Sequence, residues 1–107
     1  MQPYILENGE PKEATMEEWA AWVGDAYRTV KKTLVTVEGV DVTVSTVFLG
    51  LDHNWCNEGP PILWETMIFG GVNDHFQERY SSKEEAVERH GVLAIQVLKG
   101  EVIDDSY

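Results

Sequence analysis

From Val30 to Val44 the chain alternates between apolar and polar or small positions with a period of two. Thr33, Val35 and Val37 precede Glu38-Gly39, and Val40, Val42 and Val44 follow it. Successive strand side chains point to opposite faces, so this pattern predicts two half-buried strands. A two-residue connection carrying Gly predicts a tight hairpin between them. In that register Val37 faces Val40, Val35 faces Val42 and Thr33 faces Val44, and all six share one face. Beyond Val44 the pattern changes. Thr46 to Leu51 is apolar at nearly every position, and so is Ile62 to Phe69 before Gly70-Gly71. Such runs predict strands covered on both faces, and the phase change near Ser45-Thr46 is also open to reading as a bulge.

Elsewhere the period is helical. Thr15-Met16-Glu17-Glu18 is a capping box, in which the Thr15 hydroxyl and the Glu18 carboxylate satisfy each other's backbone amides. Met16, Trp19, Ala20, Val23 and Tyr27 then form one stripe, widened by Trp22, with Gly24 weakening the helix by about 1 kcal/mol relative to Ala. Ser82-Lys83-Glu84-Glu85 opens a second helix, which runs to about Lys99. It carries Ala86, His90, Leu93, Ala94, Val97 and Leu98 on one side, and Gly100 stops it. Tyr4-Ile5-Leu6 is a short strand followed by an Asn8-Gly9 turn, and Val72 to Tyr80 reads as a loop.

The expected order is therefore β-α-β-β-β-α. That is an α+β domain, an antiparallel three- to four-stranded sheet with two helices packed on one face. The chain length suits a single domain over 1–107, ordered from about residue 4 to 100 with a frayed tail over 101–107. The strands carry apolar residues on both sides, so the sheet face away from the helices predicts a homodimer or a bound partner there.

Charge narrows the partners. There are 19 acidic residues against 8 basic ones, a net charge of −11. Direct binding to a nucleic-acid backbone is disfavoured, because it needs a basic face to displace counterions. Two readings of the acidity stay open: solubility, and mimicry of nucleic acid towards a protein that binds it. No apolar run reaches the roughly 18–20 residues of a membrane helix, and Met1-Gln2-Pro3-Tyr4 has no leader character, so no membrane association is expected. Cys56 is the only cysteine, which excludes an internal disulfide and fits a reducing, cytoplasmic setting.

The densest cluster of reactive side chains is Asp52-His53-Asn54-Trp55-Cys56-Asn57-Glu58. It reads either as a turn-forming loop or as part of a small hydrolase using His53 with Asp52 or Glu65. Catalytic residues are not assigned. His53, His75 and His90 lack the spacing of metal ligands, and His90, in the apolar stripe, reads as a hydrogen-bonded core histidine. Glu65 sits mid-strand between Leu63 and Met67, where it either is buried and requires a partner, Arg79 or one of the histidines, or meets water on an open sheet face. Trp55, Trp64, Arg79 and Tyr80 suit stacking on a flat ligand such as a nucleobase, and equally suit core packing. The candidate ligand-binding set is His53, Trp55, Trp64, Glu65, Arg79 and Tyr80. No Gly-rich phosphate loop is present, and no cofactor or metal is expected.

The run Val44-Ser45-Thr46-Val47-Phe48-Leu49-Gly50-Leu51-Asp52-His53, then Gly59-Pro60-Pro61 through Glu65-Thr66-Met67 to Phe69-Gly70-Gly71, then Arg79-Tyr80-Ser81, resembles a family of small uncharacterised proteins encoded in bacteriophage genomes and prophages. The resemblance spans about Trp19 to His90. It implies no activity residue by residue. It implies a phage accessory protein in the host cytoplasm, non-catalytic and acting by binding a host or phage protein, with counter-defence among the roles open to it. A small-ligand binder, such as one sequestering a nucleotide signal, and the hydrolase reading are the alternatives.

Overall fold

A computed structural model of the chain describes residues 1–56 and 58–104. Its elements are β1 (Tyr4–Glu7), β2 (Glu10–Glu13), α1 (Met16–Val23), β3 (Thr29–Val37), β4 (Val40–Phe48), β5 (Trp64–Phe69), β6 (Gln77–Tyr80) and α2 (Lys83–Leu98). A short 3₁₀ turn, Gly71–Asn73, joins β5 to β6. β3, β4, β5 and β6 form one antiparallel meander in that order, and β1 and β2 form a separate hairpin. The fold is α+β.

The β3–β4 hairpin has the register expected from its pattern: Val37 faces Val40, Val35 faces Val42 and Thr33 faces Val44. Glu38 and Gly39 both have positive φ, at 50° and 80°, which matches the twist of the strands they join. The ladder slips once, between Thr29 and Lys31, so the irregularity lies at Val30, opposite Thr46 and Val47. On the face towards α2 lie Val42, Val44, Thr46 and Phe48 of β4 and Trp64, Thr66 and Ile68 of β5, all buried. Val42, Val44 and Ile68 pack with Phe76, Leu93 and Val97, and Phe48, Leu63, Trp64 and Tyr80 pack with Ala86. Trp22 of α1 meets Phe48 edge-on at 6.0 Å, so both helices lie on this side of the sheet.

α1 is shorter than its stripe predicts. Thr15 and Glu18 form both bonds of the capping box, at 2.9 and 3.1 Å. The helix nevertheless ends at Val23, with Gly24 as its C-cap rather than an interior residue, and Tyr27 is exposed. α2 begins on Ser82, whose hydroxyl accepts from the Glu85 amide, and closes through Gly100 at φ 75°. The segment expected to be loop, Val72 to Tyr80, supplies β6, and Glu10–Glu13 pairs with β1 despite Pro11. The first strand does not join the main sheet as a ladder: Pro3 makes a single bridge to Leu51 beyond the end of β4.

One expectation about coverage needs correction. β5 is not covered twice: opposite α2, Glu65, Met67 and Phe69 lie on a face with no second layer among the described residues. After α2, Glu101 and Ile103 of the expected tail are bonded to the body of the fold. The Asn73 side chain donates to the Glu101 carbonyl and accepts from the Ile103 amide, and Ile103 packs on the core. Asn57 and residues 105–107 lie outside the described residues.

Candidate functional site

The six candidate residues do not converge. Trp64 and Tyr80 point into the core beneath the helices, where they are 6% and 3% exposed. Glu65 and Arg79 are directly paired on the opposite face of the same two strands, because alternate strand residues change face. His53 and Trp55 belong to the loop after β4, where their rings meet edge-on at 5.8 Å and Trp55 is exposed. The sheet thus divides the predicted stacking cradle, and only Arg79 and Tyr80 line one cleft.

The polar side chains of the loop bond its own backbone. The Asp52 carboxylate accepts from the Asn54 amide at 2.8 Å and from the Ile62 amide at 2.9 Å, stapling the two ends of the loop. His53 Nδ1 bonds to the Leu51 carbonyl at 2.7 Å. The Asn54 amide spans to the carbonyls of Glu58 and Pro60. Asp52 Oδ1, His53 Nδ1 and Glu65 Oε2 thus bond different partners, and no bond joins these three residues among the described ones. Cys56 is exposed. Among the described residues no group of three or more His, Cys, Asp or Glu is placed to hold a metal ion.

Glu65 is buried, and its partner is Arg79, with Nε donating to a carboxylate oxygen at 2.8 Å. Beside β6 a cleft of about 710 Å³ is lined by Gln77, Glu78, Arg79, Tyr80, Glu85 and Arg89. Both of its arginines are held by carboxylates, since Arg89 donates twice to Glu78, at 2.7 and 3.1 Å.

Within the core a line of polar groups crosses the sheet. Thr33 Oγ1 lies 2.8 Å from His90 Nε2, and Thr46 Oγ1 lies 2.7 Å from His90 Nδ1 and 2.6 Å from Thr66 Oγ1. Near its end the Tyr80 hydroxyl donates to Glu78 at 3.0 Å. Burial, followed by the charge of Lys31, holds the His90 pKa below the ordinary value. Burial likewise pushes the Tyr80 phenol well above its usual range. This line satisfies buried polar atoms and presents no reactive group to a ligand.

What the side chains leave exposed is the sheet face opposite the helices. Leu34 and Phe69 flank Thr43 in one row across β3, β4 and β5, and Lys32, Ser45, Met67 and Gln77 form the next row. Leu34 is 69% and Phe69 45% exposed. The sequence pattern missed Leu34 because it falls at a polar phase of the alternation. No protein-family model, curated protein or solved structure matches the chain.

Proposed function

We propose that the protein is a non-catalytic binding domain, a phage-type accessory protein that engages a host or phage protein through the uncovered face of its sheet. One observation carries the reading: Leu34, Met67 and Phe69 stand on a face with no covering layer among the described residues. Exposed apolar residues in adjoining rows cost solvation and are regained when a partner covers them. The division of Trp64 and Tyr80 from Glu65 and Arg79 supports this reading over a stacking cradle for a small ligand. The separate commitments of Asp52, His53 and Glu65 support it over a hydrolase.

The test compares wild-type and Phe69→Glu baits in lysate of the source cell, with folding checked by circular dichroism. At least one protein should be retained by the wild type and lost on the variant. Identical captured sets on the two baits overturn the reading.

A further inference from the structure

We propose that the outer edge of β3 receives an extended acidic segment of the partner protein as an added strand. The inference rests on the binding reading above and specifies how the partner enters.

β3 is a nine-residue strand at one end of the sheet order, paired among the described residues with β4 alone. The hydrogen-bond pattern shows which of its backbone groups are unspent. The Phe48 amide donates to the Arg28 carbonyl at 2.8 Å, and the Leu49 amide donates to the Leu63 carbonyl at 2.7 Å. Even-numbered residues of β4 therefore bond towards β3 and odd-numbered ones towards β5. Thr46, Val44, Val42 and Val40 face Lys31, Thr33, Val35 and Val37. Those four residues of β3 spend their amides and carbonyls on β4. Lys32, Leu34 and Thr36 turn theirs outward, with no backbone partner among the described residues. Their side chains share the uncovered face. A strand laid along this edge would continue the ladder and place a side chain beside Leu34, in line with Thr43 and Phe69.

Charge selects the occupant. Three of the chain's eight cations, Arg28, Lys31 and Lys32, lie within five residues, and Thr29 to Val37 contains no acid although the chain carries 19. Arg28 is turned inward to the Phe48 and Leu49 carbonyls. Lys31 lies on the helix side, where its charge reaches His90, and Lys32 lies on the uncovered face. Neither lysine forms a carboxylate pair among the described residues, unlike Lys12, Arg79 and Arg89. Two ammonium groups thus bracket the same edge from its two faces. The opposite end is acidic, with Glu38 in the turn and Asp41 accepting from Thr36 at 2.9 Å. The edge calls for a segment with carboxylates beside Lys31 and Lys32 and an apolar residue beside Leu34. Edge lysines also deter indiscriminate pairing, and a second copy of the chain would bring a second charge of −11 to this edge. Lys31 and Lys32 attract an acidic segment.

The probe is a phage-displayed library of random peptides about 12 residues long, long enough to pair along the whole of β3, selected on the full chain. Enriched peptides should combine Asp or Glu with alternating Val, Ile or Thr. On addition of a synthetic enriched peptide, amide exchange should slow at Lys32, Leu34 and Thr36, whose amides are open in the free protein. Leu34→Pro removes an outward amide that β4 does not use, and the double reversal Lys31→Glu/Lys32→Glu changes charge at exposed positions. Each should weaken binding by about tenfold or more. If Leu34→Pro fails to fold, the lysine reversal decides alone. No enrichment, enriched peptides without acid, or binding indifferent to the variants overturns the proposal. So does sedimentation showing a dimer in which these three amides are protected. Phe69→Glu separates the two claims: a partner lost on that variant but kept by both edge variants leaves face binding standing and removes strand addition.

Discussion

At the residue scale, Glu65 and His90 show how buried polarity is managed here. Glu65 is desolvated on the uncovered side of β5, and the more exposed Arg79 supplies its counter-charge. Arg79→Met leaves the carboxylate without that partner and should cost about 2 kcal/mol in urea unfolding, discounted for the exposure of the guanidinium. The double variant Glu65→Leu/Arg79→Met should recover most of the loss. A single variant as stable as wild type would mean that water serves Glu65 as well as Arg79 does. His90 links stability to pH. Its folded pKa lies below the unfolded value of about 6.5, so the unfolded state binds more protons as pH falls through that value. Its contribution is therefore complete above about pH 6.5 and is lost progressively below it. The stability difference between wild type and His90→Gln should shrink from about pH 7.5 to pH 5.5, a window in which exposed carboxylates remain ionised. A difference independent of pH would contradict a neutral, buried imidazole.

At the scale of elements, the two helices are held differently. α1 has eight residues, none of them buried, and depends on its capping box and on two tryptophans. Trp22 reaches Phe48, and Trp19 approaches Gly50 so closely that a Cβ there would lie 2.6 Å from Nε1. Gly50 also has φ 80°, so both its space and its backbone favour glycine. α2 is twice as long and buries Ala86, His90, Leu93 and Val97 against the sheet. Gly91, near its middle, has an ordinary helical backbone, and a Cβ there would meet nothing within 4 Å. Gly91→Ala should therefore stabilise the protein by about 1 kcal/mol, or roughly 5 °C in Tm by calorimetry. Destabilisation would require a close neighbour at Gly91, and there is none within 4 Å among the described residues.

At the scale of the molecule, charge is the dominant asymmetry. A net charge of −11 on 107 residues makes the compact state self-repelling. Added salt screens that repulsion more than it weakens the ion pairs at Lys12, Arg79 and Arg89. Tm should rise by a few degrees between about 10 mM and about 300 mM NaCl, and a fall would show that the pairs outweigh the net charge. Against this background the acid-free β3 edge stands apart as a local excess of positive charge. Net charge alone hides that feature, because it depends on where the cations lie.

The sequence by itself determined what short-range rules control. The β3–β4 register follows from a two-residue turn and a period of two, and the helix starts follow from Thr15 and Ser82. His90 as a core histidine was also legible, because buried polar groups demand satisfaction, whereas the burial of Glu65 and the choice of Arg79 over a histidine as its partner were left open by the sequence. Tertiary structure alone decided the rest. Glu10–Glu13 and Gln77–Tyr80 have little intrinsic strand character and are strands because a neighbouring ladder accepts them. The aromatic candidates were divided by the sheet, since nearness in sequence carries no guarantee of a shared face once residues alternate sides. The unpaired edge of β3 emerged only from the order of strands. Which backbone groups remain unspent is a property of neighbours, and neighbours in a sheet are set by long-range pairing rather than by local pattern.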